Sequence, residues 1–213
     1  MNIRTLKNNE VIYLKKFIDD NTKVIIIKKY VTKYKCQNII NYCHNHFKKK
    51  NDKNFYTSID ILPKNVKTDR IFRTFIFRKF FDKEVITKLI NLQKKYINNN
   101  IPEGYHRRIQ IIHYPIGGGF FDWHKHDRFP TNYGLILNLS KKNNFSSGLT
   151  EFKYKNNIIH LKNQNIDAGD LILFRYDLVH KVSVVDIKKD LTFNKKGRWT
   201  LILPILKNID KVI

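Results

Sequence analysis

Residues 113–127 read His-Tyr-Pro-Ile-Gly-Gly-Gly-Phe-Phe-Asp-Trp-His-Lys-His-Asp. The run Pro-Ile-Gly-Gly-Gly predicts a turn, because proline and glycine fix or free the backbone where a chain reverses. The alternating stretch 107–114 before it and the stretch 120–126 after it predict two strands. Side chains alternate between the faces of a strand, so we expect His124 and His126 to point the same way.

The chain beyond this pair of strands continues in the same manner. Further short extended stretches are predicted at 133–140, 149–154, 157–161, 171–176, 181–185 and 198–203. Eight or more short strands at close spacing, with no helical pattern between them, indicate an antiparallel barrel or jelly roll. We expect this β core to span residues 105–204.

The N-terminal half has a different periodicity. Apolar residues recur every three or four positions between 11 and 50, and again after Asp82, a good helix N-cap, up to the asparagines at 98–100. The β-branched run 24–27 fits either a helix or a strand. We therefore predict an α+β fold in one domain, 1–213, with a mainly helical segment 1–104 packed on the β core.

The charge of the chain is strongly positive. Lys and Arg number 41 against 18 Asp and Glu among 213 residues, a net charge of +23, but only nine of the basic residues are Arg. Lys, Asn and Ile account for 86 residues, a bias that A/T-rich codons alone produce. We expect salt-sensitive adhesion to polyanions, with nucleic acid bound only through non-specific charge.

Cysteine content and hydropathy limit the location. Cys36 and Cys43 are too few for a disulfide framework. No apolar run approaches 18 residues, and the first residues have no apolar stretch typical of a secretory signal, so we expect neither a membrane span nor export. The expected location is the cytoplasm.

The β core carries a set of residues with metal chemistry. His180 follows the His124–His126 pair by two strands, and Arg198 and Thr200 share one face of the last strand. Imidazoles suit iron, zinc, copper and nickel, and three of them leave coordination positions open. If Arg198 is buried in the barrel, we expect an anion in the cavity beside it, because an unpaired guanidinium in a protein interior is costly.

This pattern resembles the double-stranded β-helix oxygenases that use Fe(II) and 2-oxoglutarate. That family carries His-X-Asp/Glu on one strand, a distal histidine about 50 residues later, and Arg-X-Ser/Thr on the eighth strand. Here His124, His126 and His180 stand at the metal positions, and Arg198 and Thr200 match the last element. The segment 113–124 is similar to the family's glycine-rich entry, and the resemblance covers about residues 105–204.

The resemblance implies Fe(II), 2-oxoglutarate as cosubstrate and dioxygen as oxidant, with 2-oxoglutarate decarboxylated to succinate. No catalytic residue beyond the metal ligands is implied. Arg198 and Thr200 would bind the far carboxylate of the cosubstrate, and Tyr133 and Asn138 are further candidates for that contact. The substrate, small or macromolecular, is not indicated.

The sequence departs from the family at two places. His126 occupies the carboxylate position, and Asp127 is the alternative ligand if a bulge rotates it inward. An insertion at 186–197 lengthens the link between His180 and Arg198, and we expect it to form a hairpin loop over the active site.

Two other functions fit part of the pattern. A non-catalytic β-barrel protein that binds nucleic acid or an anionic metabolite would use the positive charge and would not need the missing carboxylate. A zinc hydrolase would use the same three histidines, but no glutamate nearby in sequence offers a general base.

Overall fold

A computed structural model describes residues 2–7, 22–47, 55–60, 69–96, 101–126, 131 and 133–207. Within these ranges the chain forms two helices, α1 (Lys33–His46) and α2 (Lys83–Tyr96). The strands of the N-terminal half are β1 (Asn2–Leu6), β2 (Thr22–Ile27), β3 (Phe55–Asp60) and β4 (Arg70–Phe77). Those of the second half are β5 (Tyr105–Arg107), β6 (Ile109–Tyr114), β7 (Phe120–His124), β8 (Tyr133–Asn138), β9 (Thr150–Tyr154), β10 (Asn157–His160), β11 (Leu171–Arg175), β12 (His180–Val182), β13 (Arg198–Ile202) and β14 (Ile205–Lys207).

The strands curl into two facing layers. One layer has the order β1-β2-β11-β8-β13-β6-β4, with β3 on the outer edge of β4, and the other has the order β7-β12-β9-β10. Strand β4 joins the layers, since its first residues pair with β7 and the rest pair with β6. Strands β6 to β13 thus form the predicted double-stranded β-helix.

Both helices pack on the outer face of the larger layer. The buried side of α1 carries Cys36, Ile39, Ile40 and Cys43, which join Phe75, Leu137 and Trp199 from the sheet in one apolar cluster. The inner faces of the two layers form two smaller clusters inside the barrel, around Phe152 and around Ile112. Neither described helix is long and apolar enough to cross a membrane.

The N-terminal half holds more strand than the sequence indicated. Residues 24–27, which fitted either structure, lie in β2, and four strands accompany the two helices in the described part of 1–104. The run 24–27 is fully buried on both sides, so it lacks the alternation that marks a half-exposed strand. The helix predicted near residues 13–18 lies outside the described residues. Asp82 caps α2 as predicted, since its Oδ1 accepts a hydrogen bond from the backbone N–H of Val85 at 3.1 Å.

The insertion at 186–197 lies at an unexpected end of the barrel. Thr192 bridges to Ile116, and the backbone N–H groups of Gly117 and Gly118 both donate to the carbonyl oxygen of Val185. The loop therefore packs on the turn that precedes β7, whereas His124 ends that strand. The expectation that it covers the histidines is wrong: it closes the opposite end, where β13 begins.

Candidate metal centre and buried arginine

Three histidines converge at one end of the barrel. One ring nitrogen from each of His124, His126 and His180 lies within 4.8 Å of the others. His180 is almost fully buried, His124 is half-buried and His126 is exposed, so the cluster opens to solvent on one side. Among the described residues, this is the group of histidine, cysteine and acidic side chains arranged to hold a metal ion.

The pairing of β7 with β12 brings two of the histidines together. His180 lies directly opposite His124, and Val182 lies opposite Phe121. Between these pairs, the single residue Lys181 of β12 lies opposite two residues of β7, Asp122 and Trp123, which makes a bulge just before His124. The predicted alternation does not place His126, because β7 ends at His124; instead the backbone N–H of His126 donates to the carbonyl of Tyr176 at 2.9 Å.

Backbone carbonyls fix the orientation of two imidazoles. Nδ1 of His124 bonds the carbonyl of Asp122 at 2.7 Å, and Nδ1 of His180 bonds the carbonyl of Leu178 at 2.8 Å. A carbonyl can only accept, so both Nδ1 atoms carry the proton and both Nε2 atoms keep a lone pair. Metal-binding histidines are commonly oriented in this way.

Burial keeps these imidazoles neutral. Desolvation lowers the pKa of His180 to about 3, with a smaller contribution from the neighbouring His124. Desolvation also lowers the pKa of His124. Neutral imidazole is the form that binds metal, so the donor set fits a divalent first-row ion.

Arg198 is a buried cation inside the barrel. It is 1% exposed, its Nη2 donates to Thr150 Oγ1 at 2.6 Å, and its Nη1 makes a long contact of 3.4 Å to the Gly148 carbonyl. Its Nε has no hydrogen-bond partner among the described residues. Desolvation lowers its pKa to about 10, which leaves it charged at neutral pH. No carboxylate of the described residues pairs with it, so the site is suited to an anion.

The strand registers show which predicted residues share the face of Arg198. Thr200 lies on that face and pairs with Asn138, which is buried and whose side-chain oxygen has no hydrogen-bond partner in the described part of the chain. Tyr133 pairs with Arg175 and is an odd number of residues from Asn138 on β8, so it belongs to the opposite face with Leu135 and Leu137. The register thus separates Tyr133 from the other three residues.

Sequence reasoning missed two residues beside Arg198. Tyr114 pairs with Arg198 across β6 and β13, its ring centroid is 5.5 Å from the guanidinium carbon, and burial raises its pKa to about 12. Thr150 accepts a hydrogen bond from Arg198. Tyr114 was available as a signal, since it ends the strand before the glycine turn. Thr150 carries no local motif, and only the closed barrel brings it to Arg198.

Two acidic residues, Asp122 and Asp127, lie near the histidines in the sequence. Asp127, the alternative metal ligand, lies outside the described residues. Asp122 is exposed, and its Oδ1 accepts a hydrogen bond from the N–H of Trp123. Asp122 therefore supports His124 through its backbone carbonyl rather than its carboxylate.

Comparison with known proteins was made by sequence and by structure. No family model and no curated protein matches the sequence. Among solved structures, the chain is similar to a Pseudomonas putida prolyl-4-hydroxylase, with 11% identity, a TM-score of 0.66, and 93% of this chain and all of that chain covered.

Two further structures are similar over nearly the whole chain. A Trichoplax adhaerens prolyl hydroxylase, solved with a fragment of the hypoxia inducible factor, has 16% identity and a TM-score of 0.60, with 94% of this chain and 90% of that chain covered. A 2OG-Fe(II) oxygenase family oxidoreductase from Burkholderia pseudomallei has 11% identity and a TM-score of 0.51, with 95% and 94% covered. Identities this low carry the fold and not the activity. The chain has the double-stranded β-helix fold of the 2-oxoglutarate/Fe(II) oxygenases.

Proposed function

We propose that this protein is an Fe(II)- and 2-oxoglutarate-dependent oxygenase. The observation that carries the proposal is that one barrel holds both three histidines with converging ring nitrogens and a buried arginine, Arg198, that pairs with no carboxylate of the described residues. A zinc site alone would account for the histidines. It would leave the charge of Arg198 without a purpose.

The residues divide into two groups with separate roles. His124, His126 and His180 hold the metal through ring nitrogens, and the carbonyls of Asp122 and Leu178 keep two of these rings in place. Arg198 binds the far carboxylate of 2-oxoglutarate through its N–H groups, because a planar guanidinium matches a carboxylate with parallel hydrogen bonds. The predicted residues Thr200 and Asn138 are its neighbours on the same inner face, together with Tyr114.

Fe(II) bound here would supply the chemistry that couples decarboxylation of 2-oxoglutarate to oxidation of a substrate by dioxygen. In this scheme no side chain of the protein acts as a general acid or base. The apolar rings of Phe121, which stacks on His124, and of Phe174 and Phe152 beside His180 limit the access of water to the buried side of the cluster. Three imidazole ligands would leave a bound metal one unit more positive than a set with one carboxylate.

The search for a substrate should test both peptides and small molecules. Two of the similar structures are prolyl hydroxylases, so proline-containing peptides belong in the first panel. The open side of the cluster lies at His126, which makes entry from that side the route we propose.

The experiment separates binding from turnover. Anaerobic protein is loaded with Fe(II) and titrated with 2-oxoglutarate, and the metal-to-ligand absorption band is recorded; oxygen is then admitted and succinate is measured with each candidate substrate. We expect one Fe(II) per chain, saturable cosubstrate binding and succinate formation. Cosubstrate binding without succinate would favour a non-catalytic binding protein, and failure to bind both Fe(II) and 2-oxoglutarate would refute the proposal.

A further inference from the structure

The chain immediately before Arg198 is held by an unusual set of hydrogen bonds. Four consecutive carbonyls, those of residues 194–197, each accept a hydrogen bond from a buried or largely buried side chain. The donors are Arg73 Nη2 to Asn194 (3.3 Å), Trp199 Nε1 to Lys195 (3.1 Å), His113 Nε2 to Lys196 (2.7 Å) and Ser140 Oγ to Gly197 (2.9 Å). These donors come from β4, β13, β6 and the residue pair after β8, so four separate parts of the sheet hold one short segment.

Arg73 is the second buried arginine of the barrel wall, and its partners are all neutral. Its Nε donates to His113 Nδ1 at 2.8 Å and its Nη2 contacts His44 Nδ1 at 3.2 Å. The rings of Phe47 and Trp199 lie 4.6 and 4.9 Å from its guanidinium carbon. Cation–π contacts of this kind stabilise a desolvated guanidinium without a carboxylate. Arg73 is therefore stabilised by neutral groups and aromatic rings of the protein itself.

The contact with Arg73 also determines the form of His113. An arginine always donates, so Nδ1 of His113 accepts and Nε2 carries the proton that is donated to the Lys196 carbonyl. The ring stacks on Trp199 with centroids 4.0 Å apart and is fully buried. One neutral tautomer thus links the cation of β4 to the loop.

The backbone is tightly packed and hydrogen-bonded where the loop joins β13. Gly197 has a φ of +94°, and a Cβ there would lie 2.5 Å from the Tyr114 carbonyl oxygen and 3.0 Å from His113 Nε2. Ser140 Oγ also accepts from the backbone N–H of Trp199 at 2.7 Å, so it bonds the residues on both sides of Arg198. The backbone of Arg198 is fixed from two directions.

We propose that Arg73, His113, Ser140 and Trp199 form a carbonyl clamp whose function is to position Arg198 for 2-oxoglutarate. This inference rests on the proposed function, since it assigns the clamp residues a positioning role in cosubstrate binding. The clamp residues do not touch the histidine cluster in any described contact. Its loss should therefore weaken cosubstrate binding and leave metal binding intact.

The test uses two replacements of His113: one removes its hydrogen bonds and the other removes its stacking on Trp199. His113→Phe keeps a ring to stack on Trp199 but loses both hydrogen bonds, whereas His113→Gln loses the stack but keeps an amide that can donate to Lys196 and accept from Arg73. We expect His113→Phe to raise the dissociation constant of 2-oxoglutarate at least tenfold and His113→Gln to raise it less than threefold. Fe(II) affinity should stay within twofold in both.

Ser140→Ala provides a second, smaller change in case His113→Phe fails to fold. It removes the hydroxyl that bonds both sides of Arg198, and we expect a three- to tenfold weaker cosubstrate. Hydrogen exchange of the amides in residues 194–199, measured on the metal-free protein without cosubstrate, should be faster in each clamp variant that weakens binding. Arg198→Met, which leaves the clamp in place, should lose cosubstrate binding without that faster exchange.

Each outcome has one meaning. Equal 2-oxoglutarate affinities in His113→Phe, Ser140→Ala and wild type would overturn the clamp while leaving the oxygenase proposal standing. A larger loss in His113→Gln than in His113→Phe would show that packing, not hydrogen bonding, is what His113 contributes. A wild-type protein that binds Fe(II) but no 2-oxoglutarate would refute the proposed function, and the positioning role with it.

Discussion

At the scale of single residues, the proposed role of Arg198 depends on the shape of its side chain as well as on its charge. A lysine there keeps the positive charge but loses the planar pair of N–H groups. We predict that Arg198→Lys weakens 2-oxoglutarate binding by about 1.5–3 kcal/mol, the range for one hydrogen bond to a charged group. Anaerobic titration of the iron-loaded protein measures this directly, with Fe(II) affinity as the internal control. Equal affinities in variant and wild type would show that Arg198 does not contact the cosubstrate.

The three histidines give a prediction that does not depend on activity. His180→Ala removes the most buried of the three rings and should abolish stoichiometric Fe(II) binding while circular dichroism shows an intact β fold. His160→Ala is the matched control, because His160 is exposed and pairs with Glu151 rather than with the cluster. Iron bound at one equivalent by His180→Ala would contradict the assignment of the cluster.

His126 and Asp127 compete for the third metal position. We predict that His126→Ala reduces Fe(II) affinity far more than Asp127→Ala, which should stay within a few-fold of wild type. The physical reason is that a ring nitrogen of His126 already lies within 4.8 Å of those of His124 and His180. The measurement is Fe(II) affinity of both variants side by side, and the reverse ranking would assign the site to the carboxylate.

Some residues of the site could be predicted from the sequence, and others could not. The His124–His126 spacing and the Arg198–Thr200 pair could be read from local alternation, although the backbone bond from His126 to Tyr176 replaces the strand geometry assumed for it. Asn138 and Tyr133 were equally plausible from sequence, because an alternating strand does not reveal which face is inner. Only pairing with β13 and β11 distinguishes them.

At the scale of elements, β8 has a glycine where its neighbour needs room. A Cβ at Gly134 would lie 2.1 Å from Cε1 of Tyr176, whose ring centroid is 4.9 Å from that of His126. We predict that Gly134→Ala destabilises the fold by about 1–3 kcal/mol, as overpacking of a filled interior does. Urea unfolding measures the change.

A double variant separates this clash from a backbone effect. In a Tyr176→Leu background most of the cost of Gly134→Ala should disappear, because the crowded ring atoms are gone. Additive costs in the double variant would show that the glycine is needed for another reason. The Gly134→Ala protein should also bind Fe(II) more weakly, since Tyr176 contributes both the carbonyl and the ring beside His126.

The elements of the two halves differed in how well sequence predicted them. The strands from β6 to β13 were predicted with ends accurate to within a few residues, because most of the turns between them contain glycine or proline. Strand β4 was not predicted. Four consecutive buried residues in its centre, Phe72 to Phe75, leave no alternation, and the buried Arg73 among them resembles a surface residue in sequence.

At the scale of the whole molecule, the clamp makes stability depend on pH. Burial, together with Arg73 and His44, lowers the pKa of His113 well below its usual value. The unfolded chain binds a proton at His113 below about pH 6.5 and the folded chain does not, so stability is full above that pH and falls with acidification. We predict that the free energy of unfolding falls less in His113→Gln than in wild type between pH 7.5 and 5. Below pH 5.5 the two slopes should differ by up to about 1.4 kcal/mol per pH unit.

Chemical denaturation at several pH values measures this difference on metal-free protein. The two proteins differ at position 113 alone, so the difference between their curves reports the replacement of His113. Parallel stability curves would mean that His113 is protonated to the same extent folded and unfolded.

The sheet order has a consequence for synthesis of the chain. Strand β13 lies in the middle of the larger layer, between β8 and β6, although it is the last strand of the barrel to be translated. Until residues 198–202 leave the ribosome, β6 and β8 each present an unpaired edge of buried, largely aliphatic sequence. Such edges recruit other chains. We therefore expect the nascent chain to be open to wrong pairing with other chains until β13 is made, for a longer part of its synthesis than a chain whose central strands come first.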